Sequence, residues 1–233
     1  MSETSYHFSS EQLIRSCPLP KTMISHKSET SLTIKASKIE PLSLFLKRHK
    51  KHLSYSTMEQ LIEMIGRQLH HLETENKGIA SFNLDDITVF HANADADTGT
   101  GNVYFAITNE DKIYDIEDDN QLTITVPYQK EYTSNAKNIA FHSPEFKEFI
   151  HKKTIPYNIH FKAGYYSFGL LCLHCYISRT FTSNTSSKEN GKENETHDDD
   201  FEKILSPIIN TKIYWFLKKV LHEDPSERRY ICV

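Results

Sequence analysis

Cysteine, histidine, aspartate and glycine are the residues here whose spacing could support chemistry. Cys172-Leu-His-Cys175 has the two-residue gap of a zinc knuckle, with His174 inside it. A structural zinc needs four convergent ligands, and the only other cysteines are the widely separated Cys17 and Cys232. Helical spacing also points Cys172 and Cys175 at one buried neighbour, so core packing is the stronger reading. Asp95, Asp97 and Gly99-Thr-Gly101 raise the idea of a calcium loop or a glycine phosphate loop. They lack the bidentate acid of the first and the third glycine and following helix of the second, which leaves a hairpin loop. Lys47-Arg-His-Lys-Lys-His52 could bind phosphate or direct nuclear import. Its plainer reading is the solvated end of a helix, where cations suit the dipole. His70, His71, His91, His142, His151 and His160 are scattered, and no nucleophile elbow or Walker loop occurs.

The elements that must position these residues follow from periodicity. Residues 163–177 are apolar on every helical face. Fifteen residues rise roughly 22 Å, short of the ~30 Å hydrocarbon core of a bilayer, so this is a buried central helix. Ser56-Thr-Met-Glu59 reads as a capping box, and Met58, Leu61, Ile62, Ile65, Leu69 and Leu72 continue it as an amphipathic helix. Residues 32–35 read as a strand and Pro41 as the first position of a short helix to Leu46. Further strands are expected at 79–82, 87–90, 103–108, 113–116 and 122–126, with a hairpin turn at Asn109-Glu-Asp111. Ser143-Pro-Glu145 starts a helix to about Ile150, and residues 211–221, including Trp215, form the last strong one. Both Phe168 and Trp215 are expected in the core.

A chain of 233 residues with 38% hydrophobic content fits one domain or one domain with extensions. Residues 182–200 hold two Lys against six acids, which accounts for the whole net charge of −4. That acidic insert has no apolar residue and is expected to be disordered or a flexible surface loop. Residues 21–52 carry eight Lys or Arg against two Glu, while 85–119 carry ten acids against one Lys. The balance argues against nucleic acid as the main partner, although the first segment keeps it as an alternative. Four cysteines do not make a disulfide framework, and neither a signal-peptide pattern nor a membrane-length apolar run is present. A cytoplasmic protein is the expectation. Residues 1–31 are Ser-, Thr- and Lys-rich and read as a flexible leader.

From Leu32 onward the order of elements resembles the C-terminal lobe of the eukaryotic protein-kinase fold. Ser143-Pro-Glu145 is similar to that family's Ala-Pro-Glu motif, and Tyr166-Ser-Phe-Gly169 to the Trp-Ser-x-Gly of its central helix. Asp224-Pro-Ser-Glu-Arg228 is similar to its closing Asp-Pro-x-x-Arg. The resemblance implies an α+β, mainly α, fold: a leader at 1–31, then a kinase-like C-lobe at 32–233 with no complete N-lobe. It also implies a structural ion pair between Glu145 and Arg228.

The catalytic set does not carry over. Phosphotransfer in that family needs a glycine-rich loop, a strand Lys with its helix Glu, a base Asp and two metal-holding residues. With 31 residues before Leu32, the glycine-rich loop, the Lys and the Glu have no place. Ser81-Phe-Asn-Leu-Asp-Asp86 resembles a catalytic loop two residues short, with Asn83 where the base should be. A carboxamide cannot accept the substrate proton. Asp86 stands at the metal-binding Asn in one register and Asn102 in another, while Asp115-Ile-Glu117 takes the Asp-Phe-Gly position. The family's acid at the start of the central helix is replaced by Gly164. Asp86 and Asp115 are therefore vestigial nucleotide or metal candidates, and the resemblance implies no catalytic residue, no metal and no cofactor. It implies an interaction module with a protein partner and no membrane, resembling the degenerate kinase-like proteins of large cytoplasmic DNA viruses of the African swine fever type. A residual nucleotide- or Mg-dependent phosphotransferase is the alternative.

Overall fold

The computed structural model describes residues 4–49, 52–92, 102–126, 141–177 and 205–230. It is an α+β fold in which six helices pack with four small antiparallel sheets among the described residues. The hairpin loop expected at 95–101 and the acidic insert at 182–200 lie outside the described residues.

The expected leader is instead part of the fold. Strand β1 (Thr4–Phe8) and strand β2 (Ile24–Lys27) flank β3 (Leu32–Ala36) in one sheet, with helix α1 (Glu11–Ser16) between the first two. Phe8, Leu13, Ile14, Leu19 and Met23 enter the main core. A boundary at residue 31 would cut this sheet between its strands. Its polar composition misled because strands pair with a distant partner, and only one face of this sheet needs apolar residues.

Strand β4 (Lys38–Pro41) runs into helix α2 (Leu42–Arg48), with Pro41 as its N-cap. Helix α3 (Tyr55–Thr74) starts before the expected capping box: Ser54 Oγ accepts the Thr57 N–H at 3.2 Å. Tertiary structure sets that start, because the Leu53 N–H donates to the carbonyl of Cys175 at 2.9 Å. All six expected apolar positions of α3 are buried. Gln68, buried with them, donates to Ile107 O at 3.1 Å and accepts the Ile107 N–H at 2.7 Å. Its side-chain amide thus completes a strand edge in the way a further strand would.

That strand is β7 (Val103–Ile107), which pairs with β6 (Ile87–His91), itself paired with β4. The expected hairpin at Asn109 does not form. Residues Glu110–Lys112 make a 3-10 turn, and β8 (Ile113–Asp115) crosses to pair with β5 (Lys77–Ile79). Apolar β6 and β7 seek each other in the core, which frees half-exposed β8 for the other partner.

Strand β9 (Gln121–Ile124) pairs with β10 (Tyr157–His160). These strands and helix α4 (Pro144–Lys152) enclose a second, smaller core around Phe146, Phe149 and Ile159. Ser143 Oγ caps α4 by accepting the Phe146 N–H at 3.2 Å, with Pro144 at its first position. Helix α5 (Ala163–Ile177) is the central helix, and Phe168, Leu171, Cys172, Leu173 and Cys175 are fully buried on it. Among the described residues no helix is long and apolar enough to cross a membrane.

Helix α6 (Lys212–Val220) is capped by Thr211 and buries Ile213, Tyr214, Phe216, Leu217 and Val220. Trp215 departs from expectation, standing 47% exposed. The helix has lysines at 212, 218 and 219, and residue 215 falls on that outward stripe at three- and four-residue spacing.

Candidate functional site

Four successive residues of α5 organise the surroundings of the site. Tyr166 lies under the Arg228 guanidinium, 4.8 Å from ring centroid to Cζ. Ser167 Oγ accepts the Phe82 N–H at 2.7 Å and donates to the Phe141 carbonyl. Phe168 packs in the core against Phe82, Phe216 and Tyr230. Gly169 lets Val220 and Leu221 of the last helical region approach the backbone. The central helix thereby fixes both ends of the Phe82–Phe141 bridge and the start of the loop at 82–86.

Within that loop, Asn83 caps a 3-10 turn over Leu84–Asp86. Asp86 is 4% exposed, and its Oδ2 accepts the Asn83 N–H at 2.7 Å. Its Oδ1 accepts from Asn109 Nδ2 at 2.7 Å. The Thr108 N–H donates to the Asp86 carbonyl at 3.0 Å, and Thr88 and Thr108 hydroxyls meet at 2.8 Å. Both carboxylate oxygens of Asp86 are therefore used to lock the loop to the turn after β7. Asp85 accepts from Ser43 Oγ, tying the same loop to α2.

The other expected acid has a separate partner. Asp115 ends β8 with its side chain 75% exposed, and it pairs with Lys77 across the β5–β8 ladder. The residue facing Asp86 is Asn109, which sequence reading placed in a hairpin turn. Its signal was available as the first amide after the apolar run of β7. Asn102 lies at the far end of the β6–β7 hairpin, where its carbonyl accepts the Ala92 N–H at 2.9 Å. Six strand steps separate Ala92 from Asp86, about 20 Å at ~3.3 Å each, so Asn102 cannot serve this loop.

Glu145 and Arg228 come together. Arg228 Nη1 and Nη2 donate to the two oxygens of Glu145, the second at 3.1 Å. The remaining donors reach three carbonyls: Nε to His222 at 2.8 Å, Nη2 to Glu223 at 2.9 Å and Nη1 to Lys162 at 3.3 Å. Arg228 is wholly buried with each of its five N–H groups engaged. Beside it opens a cleft of about 310 Å³ lined by His70, Glu73, Lys162, Tyr165, Arg229 and Tyr230. Tyr165 donates its phenol to Glu73 there, and burial followed by that carboxylate pushes its pKa up. Tyr230 reaches across to donate to the Ile62 carbonyl, lying where a Cβ on Gly66 would collide with its ring.

The basic run is divided by structure. Lys47 and Arg48 end α2, His49 is its C-cap, and residues 50 and 51 lie outside the described residues. Arg48 pairs with Glu40, whose side chain is 5% exposed and also meets Lys38 at 3.0 Å and His91 Nε2 at 2.8 Å. Sequence reading missed this cluster, whose signal was a rare acid in a basic segment. Burial, then Arg48, Lys38 and His49, lowers the His91 pKa to about 4. Two stronger cations already hold Glu40, so the imidazole stays neutral and donates from Nε2. His142, stacked on Phe146 at 4.7 Å, is likewise lowered to about 4 by burial and then by Lys112 and Lys147.

These two histidines predict a pH dependence. Between pH 6.5 and about 4 the unfolded chain binds protons that the folded chain does not. Stability is then full above pH 6.5 and falls as pH drops, by about 1–2 kcal/mol per histidine at pH 5. The urea midpoint should be lower at pH 5 than at pH 7, and His91→Gln with His142→Gln should narrow the gap. Equal midpoints in the unmodified protein would contradict the burial of neutral imidazoles.

Cys172 and Cys175 are fully buried core residues, and burial raises both thiols above their ordinary pKa. Among the described residues no three side chains of His, Cys, Asp or Glu converge in a metal-binding arrangement. No protein-family model matches the chain, and no curated protein matches it either.

Proposed function

We propose that this chain is a kinase-like C-lobe without phosphotransfer activity, working as an interaction module in a viral or host complex. The observation that carries the reading is the commitment of Asp86, whose two oxygens close its own loop onto Asn83 and Asn109. An acid held by its own loop in this way is poorly placed to take a further ligand, and the carboxamide at the base position cannot accept the proton of a substrate hydroxyl. The Glu145–Arg228 fork supports the kinase-like part of the reading, because its partners come from two of the three motifs that carry the resemblance. Asp115, exposed and paired with Lys77, stands apart from that loop's hydrogen bonds.

Thermal unfolding with and without millimolar Mg-ATP tests this. A ligand at a hundred times its dissociation constant adds about 2.7 kcal/mol of stability, which a melt detects readily. The melting temperature is expected not to move. A rise that disappears in Asp115→Ala, accompanied by nucleotide turnover, would overturn the non-catalytic reading and favour the phosphotransferase.

A further inference from the structure

The outward stripe of α6 consists of Lys212, Trp215, Lys218 and Lys219, and the helix Lys212–Val220 contains no acid. Trp215 is 47% exposed in the middle of it, with lysines three residues before it and three and four after it. Lys218 leans over the Tyr214 ring at 5.7 Å, and that ring meets Trp215 edge-on at 5.3 Å. Two more exposed apolar residues arrive at the same end of the helix. Ile209, 53% exposed, precedes the Thr211 cap by two residues. Tyr55, the first residue of α3, is 36% exposed, and its phenol lies near Thr211, Lys212 and Glu59, with burial and then the Glu59 carboxylate raising its pKa. Three of the six large apolar side chains exposed among the described residues thus gather where α3 and α6 begin.

We infer that this Tyr55–Ile209–Trp215 surface docks an acidic protein segment that presents an apolar anchor between carboxylates. Aromatic side chains of this kind dominate binding where a partner can desolvate them. The lysine frame supplies a complementary charge that selects and steers an acidic partner. A bilayer fits less well, because the apolar face of α6 is turned into the core and the three exposed side chains here are too small an apolar face to insert. Three lysines are few for a nucleic-acid strand, whose binding rests on neutralising many phosphates along its length. The inference deepens the interaction reading above by naming its surface and the chemistry of its partner.

Trp215 is the chain's single tryptophan, so its emission reports directly on this surface. The full chain is titrated with a synthetic Glu/Leu peptide, its Lys/Leu counterpart, oligo-dT and anionic vesicles. The acidic peptide alone should give a saturable blue shift that weakens at high salt. With a labelled peptide followed by anisotropy, Trp215→Ala and the pair Lys212→Glu and Lys219→Glu should each weaken binding roughly tenfold or more. Because these side chains are exposed, melting temperatures should stay near that of the unmodified protein. No saturable response to the acidic peptide, or a response confined to vesicles or oligo-dT, would overturn the assignment. If the peptide fails while the Mg-ATP melt stays flat, the surface falls and the non-catalytic reading stands. A nucleotide-driven shift overturns that reading whatever the peptide does.

Discussion

Replacing Arg228 by alanine is expected to destabilise the fold by on the order of 3–5 kcal/mol, a large part of the ~5–15 kcal/mol that holds a typical domain. The loss has two parts. Glu145, with its side chain 17% exposed, would keep its charge without the fork that neutralises it. The carbonyls of Lys162, His222 and Glu223 would also lose their shared donor. Arg228→Lys should recover only part of the loss, because one ammonium cannot cover five acceptors set out for a planar guanidinium. Urea unfolding of the two variants, with a double-mutant cycle against Glu145→Gln, measures the coupling. A loss under about 1 kcal/mol for Arg228→Ala would show that the fork is a surface-like pair and not a buried hub.

Phe168→Ala should cost a comparable ~3–5 kcal/mol, by cavity formation and not by charge. Its ring is fully buried, with Phe82 at 5.7 Å, Phe216 at 6.0 Å and Tyr230 at 6.4 Å between centroids. Those neighbours belong to the loop entry, α6 and the segment after Arg228, so no single element can collapse to fill the gap. Trp215→Ala is the natural control, since that ring is half in solvent and should change the urea midpoint little. Equal losses from the two substitutions would contradict the burial described for both.

What sequence revealed about this molecule depended on whether the information was local. The bounds of α5 were legible because fifteen consecutive residues leave no polar face, and the start of α4 because Ser143 and Pro144 act within one turn. Glu145 and Arg228 were legible through motif resemblance alone, since nothing local links residues 83 positions apart. Trp215 was misplaced because a nearly unbroken apolar run hides its outward face, which only the three flanking lysines mark. The start of α3 was missed by two residues because a bond from Leu53 to the end of α5 sets it. Asp115 was assigned by resemblance to the Asp-Phe-Gly position, whereas the exchange of strand partners between β6, β7 and β8 put Asn109 beside Asp86. Residues 4–27 were lost to the same cause, because pairing with β3 is visible only once β3 is in place.

The five-point grip of Arg228, and Tyr230 lodged against Gly66, also impose an order in time. A chain made from its amino terminus at roughly 5–20 residues per second presents α3, α4 and α5 well before either side chain leaves the ribosome. Until then Glu145 waits without its counter-ion, and the notch over Gly66 and Ile62 stays open to water. Assembly therefore has a late sealing step. A released chain cut shortly before residue 228 would keep the helices and strands described above yet remain unlatched, in the condition that chaperones and proteases recognise.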